Sequence, residues 1–311
     1  MKQVVGADSL TPPPTGTAVT IGTFDGVHVG HRSLIARTIA EAQEHNLASA
    51  LVTWDRHPAA TLRPDKVPPL LATPERKVEL IGESGIEALV VLPFNHELST
   101  WSPERFVDEV LVGRMGARSV FVGHDWRFGH KQSGDVSLLE ELGRDRGFDV
   151  HGIELEEVGG APVSSTRIRK VVADGDMELA RLLLGRPFDL QGPVLRGDRR
   201  GTELGFPTAN IDLDPQMAHP PRGVYAGRAR VNDVWYAAAI NLGVNPQFGG
   251  DPATTPLRIE AYLLDYSGDL YDQVVTVEFH ARLRDELTFP SVDDLINQMK
   301  LDVEATRTLG L

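Results

Sequence analysis

Cysteine is missing from this sequence altogether. Its absence excludes disulfides, thiolate-held metals and a cysteine nucleophile at once, and it fits a reducing compartment. Long apolar runs are missing too. No stretch approaches the roughly 18 apolar residues of a membrane span. The start, Met1-Lys2-Gln3-Val4-Val5-Gly6, lacks an apolar core of signal-peptide length. A cytoplasmic protein with no membrane partner is expected. There is no Gly-x-x-x-x-Gly-Lys-Ser/Thr pattern, so a P-loop is not the basis of any phosphate site. Internal repeats and low-complexity tracts are absent. Positive charge is scarce: 31 Lys and Arg stand against 44 Asp and Glu, a formal net charge of −13. Such a chain is a poor non-specific binder of nucleic acid, because backbone phosphates must be neutralised by cations; no nucleic-acid partner is expected. Local sites for small phosphorylated ligands remain open, since these need only backbone N–H groups, a few Arg or Lys, and Mg²⁺. No signal sets the oligomeric state, and a homo-oligomer is compatible with the sequence.

What is present is enough for two cores. The 311 residues exceed the length at which single cores stop growing, roughly 250–300 residues. β-rich apolar runs at 18–22, 47–54, 87–92, 118–123 and 149–155 alternate with helical patterns at 32–44, 74–82, 103–112 and 136–146. That alternation predicts an α/β domain, a parallel sheet covered on both faces. Two further helices are predicted at 165–173 and 176–184, with Asp176 as an N-cap for the second. After Gly185 the texture changes, and 185–193 reads as the exit from the helical region. Short strands at 224–231, 234–241, 257–264 and 273–283 are separated by turns such as Asn232-Asp233 and Ser267-Gly268. They predict a small antiparallel barrel. A last helix is predicted at 292–305, with Ser291 as N-cap and Asp293 and Asp294 in its first turn. The boundary is placed near Arg186, giving domains 1–186 and 187–311.

The densest chemistry lies in Gly22-Thr23-Phe24-Asp25-Gly26-Val27-His28-Val29-Gly30-His31. This run follows a predicted strand and opens a predicted helix, so backbone N–H groups and the positive helix end converge on a spot suited to phosphate. Gly22, Gly26 and Gly30 permit tight turning and close ligand approach. His28 and His31, three apart, share a side and can donate to charge developing on a triphosphate. The alternatives are a pair of surface histidines and a metal site, the latter weaker since no third His or Cys has ligand spacing. Ser164-Ser165-Thr166-Arg167-Ile168-Arg169 also opens a helix. Hydroxyls, N–H groups and guanidinium forks converge there as a pyrophosphate leaving group requires, although a plain N-cap with surface arginines has the same signature. Gly123-His124-Asp125-Trp126-Arg127-Phe128-Gly129 offers Trp126 and Phe128 as flat surfaces, for a ligand or for core packing. In the second half, a basic glycine turn, Gly197-Asp198-Arg199-Arg200-Gly201, precedes Gly205-Phe206-Pro207-Thr208-Ala209-Asn210. The turn can hold polyphosphate, and the Thr208 hydroxyl and Asn210 carbonyl are hard oxygens of the kind Mg²⁺ accepts. A bulged strand edge would look the same. Glu260 by itself reads as a strand carboxylate of the ordinary exposed kind.

In order along the chain, these segments resemble the bacterial bifunctional riboflavin kinase/FMN adenylyltransferase family, also called FAD synthetase. The 22–31 run is similar to the His-x-Gly-His signature of the nucleotidylyltransferase superfamily. Thr53-Trp54-Asp55-Arg56-His57-Pro58 resembles the family's Thr-Phe-Asp-Pro-His-Pro. The 123–129 segment resembles its Gly-x-Asn/Asp-Phe-x-Phe-Gly flavin loop, and 164–169 its Ser-Ser-Thr-x-Ile-Arg. The 205–210 segment resembles the Gly-Phe-Pro-Thr-Ala-Asn of riboflavin kinases. Pro221-Arg222-Gly223-Val224-Tyr225, Asn241-Leu242-Gly243, Asn245-Pro246-Gln247-Phe248-Gly249-Gly250, Glu260-Ala261-Tyr262-Leu263-Leu264-Asp265 and Leu283-Arg284-Asp285-Glu286 resemble further landmarks. The likeness runs from about Val19 to Val303. Trp54, Arg56, Trp126, Thr202, Gln247 and Asp272 depart from the family pattern, and none of these changes removes a residue assigned to the chemical steps.

The resemblance implies a Rossmann-like nucleotidylyltransferase domain over 1–186 and a riboflavin kinase barrel with a C-terminal helix over 187–311. It implies two reactions: ATP-dependent phosphorylation of riboflavin to FMN, yielding ADP, and adenylylation of FMN to FAD with release of pyrophosphate, both with Mg²⁺. It makes Glu260 the base for the riboflavin 5′-hydroxyl, with Thr208 and Asn210 holding the metal. It makes His28, His31, Arg167 and Arg169 the stabilisers of the departing pyrophosphate. ATP contacts fall to Gly22, Phe24, Asp25, Gly26, Gly30, Ser164, Ser165, Thr166, Gly197, Arg200 and Gly201. Flavin contacts fall to His57, Asp125, Trp126, Phe128, Gly205, Phe206 and Pro207. A single-activity member with one impaired site and a non-catalytic flavin carrier are the alternatives, and the intact His28, His31, Thr208, Asn210 and Glu260 argue against both. An aminoacyl-tRNA synthetase, which shares His-x-Gly-His, is disfavoured by the acidic charge and the barrel.

Overall fold

Buried on both faces, a parallel strand reads as a continuous apolar run, and the first half of the chain is built from such runs. The computed structural model describes residues 1–5, 12–196, 201, 204–243 and 257–311. Strands β1 (Lys2–Val5), β2 (Thr17–Ile21), β3 (Ala48–Trp54), β4 (Ala88–Leu92), β5 (Ala117–Gly123) and β6 (Asp149–Ile153) pair in parallel in the order β1-β4-β3-β2-β5-β6. Every residue of β2, at the middle of the sheet, is buried. The five strands expected from the sequence are present to within two residues at each end. β1 was not foreseen: it is a four-residue edge that pairs only with β4, so tertiary pairing rather than local pattern defines it.

Helices α1 (Val29–His45), α2 (Pro58–Leu62), α3 (Pro74–Gly82), α4 (His96–Ser99), α5 (Pro103–Phe106) and α6 (Val136–Arg146) lie between the strands. α1 buries Ile35, Thr38 and Ala42 and packs against β2, β3 and β5. The helix expected at 103–112 continues to Arg114, but its second part, Val107–Arg114, widens into π turns, with the Met115 N–H bonding the Val110 carbonyl. From β2 the chain steps outward through β3 and β4 on one side, and β5 and β6 extend the other side. The segments that follow β2 and β5 therefore share the crevice at the topological switch point, where such sheets bind ligands. These segments are the 22–31 turn and the 123–129 loop. A two-residue hairpin, β7 (Glu157–Val158) with β8 (Ala161–Pro162), follows β6.

The later strands close into an antiparallel barrel: β9 (Phe188–Leu195), β10 (Ala209–Asp212), β11 (Gly223–Val231), β12 (Val234–Gly243), β13 (Arg258–Leu263) and β14 (Val274–Arg284), in the order β10-β13-β12-β11-β14-β9. β9 occupies the stretch expected to be an exit segment. Its Gly192 and Pro193 disguise it. The glycine is needed because a Cβ there would sit 1.9 Å from the Asp212 carbonyl oxygen of β10. Helices α7 (Ser165–Asp174) and α8 (Met177–Leu184) precede the barrel, and α9 (Val292–Thr308) follows it, capped by Ser291 as its sequence predicts. α8 packs on β9 and β14, and α9 on β11 and β12.

By contact, the chain divides into Met1–Pro68 with Pro74–Ser165, and Pro69–Thr73 with Thr166–Leu311. This division groups α8 and nearly all of α7 with the barrel, whereas sequence texture put a boundary after both.

Candidate active sites

In the first unit the chain leaves β2 through a turn that ordinary residues rarely adopt. Phe24 and Val27 are non-glycine residues in the left-handed region, at φ 51° and 41°. Such strain persists only where surrounding structure over-determines it, and both side chains are fully buried, at 1% and 0% exposure. The Gly22 N–H bonds the Val52 carbonyl at 3.1 Å, and the Thr53 hydroxyl donates to the Thr23 carbonyl at 3.1 Å. Ser165 Oγ donates to the Asp25 carbonyl at 3.0 Å. His28 serves as the N-cap of α1: the His31 main-chain N–H donates to its Nδ1 at 3.3 Å. Accepting there leaves the proton of a neutral His28 on Nε2. The two imidazoles stack at 3.5 Å between centroids and 15° between planes, with Phe24 4.9 Å from His31. His31 Nδ1 is buried without a partner among the described residues. Burial, then the neighbouring His28, then the Lys77 ammonium hold the His31 pKa well below the usual histidine value. His31 is therefore neutral at pH 7.

The 123–129 loop is fastened by hydrogen bonds in both directions between Phe128 and Gly134. Phe128 lies in the core, and its ring stacks on Trp126 at 4.6 Å and 11°. One face of Phe128 is thus taken by Trp126, which is itself half-buried, while Asp125 is exposed. His57 caps α2 by accepting the Ala59 N–H at its Nδ1. Burial would raise the Asp55 carboxyl, but hydrogen bonds from Arg56 and from the Phe94 N–H hold it below the usual value.

In the second unit the strand pleat sets the site. Along β13, Ile259, Ala261 and Leu263 are buried, while Glu260 and Tyr262 alternate with them as half-buried residues. Register then builds a row on the outer face: Asn210 of β10 opposite Glu260, Glu260 opposite Asn241 of β12, Asn241 opposite Val224, and Val224 opposite Arg284 of β14. α9 supplies Leu295, Met299, Asp302 and Val303 to the same cavity, of about 320 Å³. Its polar groups include Thr208, Asn241, Glu260 and Glu286, and its apolar ones include Phe206, Leu287 and Phe289. A mostly apolar cleft with a few placed polar groups suits a flat organic ligand. At one end the Phe206 N–H bonds the Gly201 carbonyl at 2.7 Å, an approach that a Cβ on Gly201, 2.3 Å from the Phe206 oxygen, would prevent. Arg284 forks onto Asp302 of α9 at 3.0 and 2.7 Å, a side chain held at 8% exposure. Burial raises the Glu286 carboxyl above its usual value, against the opposing pull of Arg222 and Arg284.

Residues 11–167 match the FAD synthetase family and residues 184–309 the riboflavin kinase family. The bifunctional riboflavin kinase/FMN adenylyltransferase of Pseudomonas fluorescens is 37% identical over 310 residues, covering 100% of this chain and 98% of its own. The chain belongs to the bifunctional riboflavin kinase/FMN adenylyltransferase family. The Bacillus subtilis (strain 168) member is 34% identical over 288 residues, 92% of this chain and 90% of its own. The Escherichia coli (strain K12) member is 33% identical over 304 residues, 97% and 96%. Among solved structures, a macrolide-efflux protein from Streptococcus pneumoniae superposes with a TM-score of 0.86 at 28% identity, over 99% of each chain. As a member of this family the chain is a riboflavin kinase and an FMN adenylyltransferase, using ATP to make FMN and FAD.

Within this bifunctional enzyme the structure gathers Gly22, Phe24, Asp25, Gly26, His28, Gly30 and His31 in one turn, with Ser165 bonded to it and Ser164 the residue before. Arg167, Arg169 and the exposed Thr166 belong to the second unit, where Arg169 Nε donates to the Pro69 carbonyl at 2.6 Å. Gly201, Phe206, Thr208 and Glu260 line the cavity, and Asn210 stands beside Glu260 in register, while Gly205 and Pro207 are exposed and outside the lining. Gly197, Arg200, Thr202 and Gln247 lie outside the described residues. Sequence reasoning gave no role to Lys77, Arg284, Glu286 or Asp302. Asn241 was visible only as a landmark; its place beside Glu260 follows once the barrel order is known. No three His, Asp or Glu among the described residues are grouped as a metal site.

Proposed function

We propose that the cavity under α9 is the riboflavin kinase centre, and that the 22–31 turn with the 123–129 loop forms the FMN adenylyltransferase centre. The observation that carries the first assignment is the pair Glu260 and Asn241 on the cavity wall, with Asn210 next to Glu260 in register. Glu260 there takes the proton of the riboflavin 5′-hydroxyl as that oxygen attacks the γ-phosphorus of ATP, and ADP leaves. The neutral oxygens of Thr208 and Asn210 beside the Glu260 carboxylate are the hard donor set that Mg²⁺ accepts together with water and phosphate oxygens, so these residues would hold it. The ion would supply charge neutralisation at the phosphates. The flat flavin fits between apolar groups such as Phe206 and Leu287.

In the adenylyltransferase centre the FMN phosphate is already anionic and needs no base. It attacks the α-phosphorus of ATP, and pyrophosphate leaves. His28, with its proton on Nε2, and neutral His31 donate to the developing charge at the start of α1. Trp126, braced by Phe128, offers the flavin surface, with His57 and Asp125 as polar contacts. Arg167 and Arg169 are assigned to the pyrophosphate on their motif. We place the enzyme in the cytoplasm, in keeping with its lack of cysteine. Among the described residues no helix is long and apolar enough to cross a membrane.

Two substitutions in one assay test the assignment. His28→Ala should lower FAD formation from FMN by about 10²–10³-fold and spare FMN formation. Glu260→Gln should lower FMN formation by about 10²–10⁴-fold and spare FAD formation from added FMN. Chromatography of the flavin products reads both rates, and parallel losses in the two reactions would overturn the assignment.

A further inference from the structure

Lys77 stands on α3 and reaches the C-terminal end of β3. Its Nζ donates to the Trp54 carbonyl at 3.0 Å and lies 3.5 Å from Thr53 Oγ1. The Thr53 hydroxyl in turn donates to the Thr23 carbonyl at 3.1 Å. A continuous chain thus joins the ammonium of α3 to the 22–31 turn. The ammonium faces the carboxylates of Asp25 and Asp55, and also His31. Asp25 is 5% exposed, and Asp55 has a second cation in Arg56. Burial lowers the Lys77 pKa, while Asp25 and Asp55 oppose that fall.

Stability does not explain this residue. Taking an ammonium out of water costs several kcal/mol by general estimates, about what pairing returns, and a methionine would fill the same path with no such cost. Sites that carry such a cost are more often functional. We propose that Lys77 is a positioning residue for adenylyl transfer, holding the 22–31 turn through Thr53 and keeping a cation close to His31. This rests on the assignment of His28 and His31 to that reaction.

The direction of the effect follows from the charges present. His28 and Lys77 both disfavour a proton on His31. Removing Lys77 takes away one of the two cationic neighbours that disfavour that proton, which favours protonated His31. In Lys77→Met, loss of adenylylation on the acid side therefore begins at a higher pH than in the wild type.

The experiment uses the full chain as wild type, Lys77→Met, Lys77→Arg and His31→Ala. It measures kcat/KM for FMN adenylylation across pH 5–9, riboflavin kinase rates in the same preparations, and the His31 titration by NMR of labelled histidine. Lys77→Met should lose about 10–100-fold at pH 8, the usual range for removing an outer partner of a site residue. Its acid limb and its His31 titration should both move to higher pH. Lys77→Arg, which restores the charge, should return both toward the wild type, and kinase rates should not change. The titration reads the folded protein directly, so a poorly active preparation still decides. Superimposable His31 titrations in wild type and Lys77→Met would overturn the inference. If His31→Ala abolishes adenylylation while the titration stays put, only the role of Lys77 falls. If His31→Ala leaves FAD formation intact, the assignment beneath it falls.

Discussion

Cutting the chain at Arg186 should destroy the kinase half, whereas cutting at Thr166 should not. α8 lies before Arg186 yet packs on β9 and β14 of the barrel. It buries Met177, Leu183 and Leu184 at 4%, 0% and 0% exposure, with Ala180 at 0%. Each large apolar side chain contributes roughly 1.5–3 kcal/mol on full burial. The three together therefore contribute on the order of 5–9 kcal/mol, an upper figure because unfolded chains are not fully extended. A domain's whole stability is about 5–15 kcal/mol. Fragment 187–311 should thus be largely unfolded at 25 °C, bind a hydrophobic dye and show little riboflavin phosphorylation. Fragment 166–311 should fold and make FMN. It too forgoes something, the Pro69–Thr73 segment whose Leu70 bridges to Met217, so its denaturation midpoint should fall below that of the kinase half in the full chain. Urea titrations followed by near-UV circular dichroism, with FMN production in parallel, compare the two. Equal midpoints for 187–311 and 166–311 would refute the reasoning and make α8 a part of the linker.

Asp302→Ala should strand the Arg284 guanidinium in the α9–β14 seam and destabilise the barrel by about 3–5 kcal/mol; kinase activity should then be lost on warming well before adenylyltransferase activity in the same sample. Gly201→Ala should force the turn away from the Phe206 carbonyl and cost the kinase about 10²-fold, read as kcat/KM for riboflavin, with FAD formation from FMN unchanged.

How much of this was legible beforehand depended on whether local pattern or long-range pairing set each feature. The strands from β2 to β6 could be read because doubly buried parallel strands are locally apolar, and α8 and α9 because Asp176 and Ser291 cap them. β9 was lost behind Gly192 and Pro193, whose presence answers to the close passage of β10 and not to local structure. β1 was lost because an edge strand this short is defined by its single partner. In the proposed centres, residues in compact motifs were visible: His28, His31, Thr208, Asn210. Those reached across sequence were not. Lys77 meets the 22–31 turn through Thr53, and Asp302 meets Arg284 from another element. Phe128 shows a third case, in which an aromatic in a ligand-like motif is half of a stacked pair, with its ring given to the core and its partner left toward the surface.

The two centres differ in how they depart from what stability alone would favour. The row proposed for the kinase, Asn210–Glu260–Asn241, is regular antiparallel pairing, and Glu260 and Asn241 reach the cavity through the ordinary alternation of their strands. A ligand there meets a surface that the barrel would form anyway. The turn proposed for adenylyl transfer is built otherwise. It places two non-glycine residues at positive φ, leaves His31 Nδ1 buried without a partner among the described residues, and sets a half-buried ammonium beside the nearly buried Asp25. Local rules broken together at one place mark function, because nothing in folding rewards them. A triphosphate and a leaving pyrophosphate concentrate charge in a small volume, and donors fixed in advance spare the reorganisation that mobile ones would require. On the proposed assignment, the strain at Phe24 and Val27 is the local cost of holding His28 and His31 stacked at the start of α1.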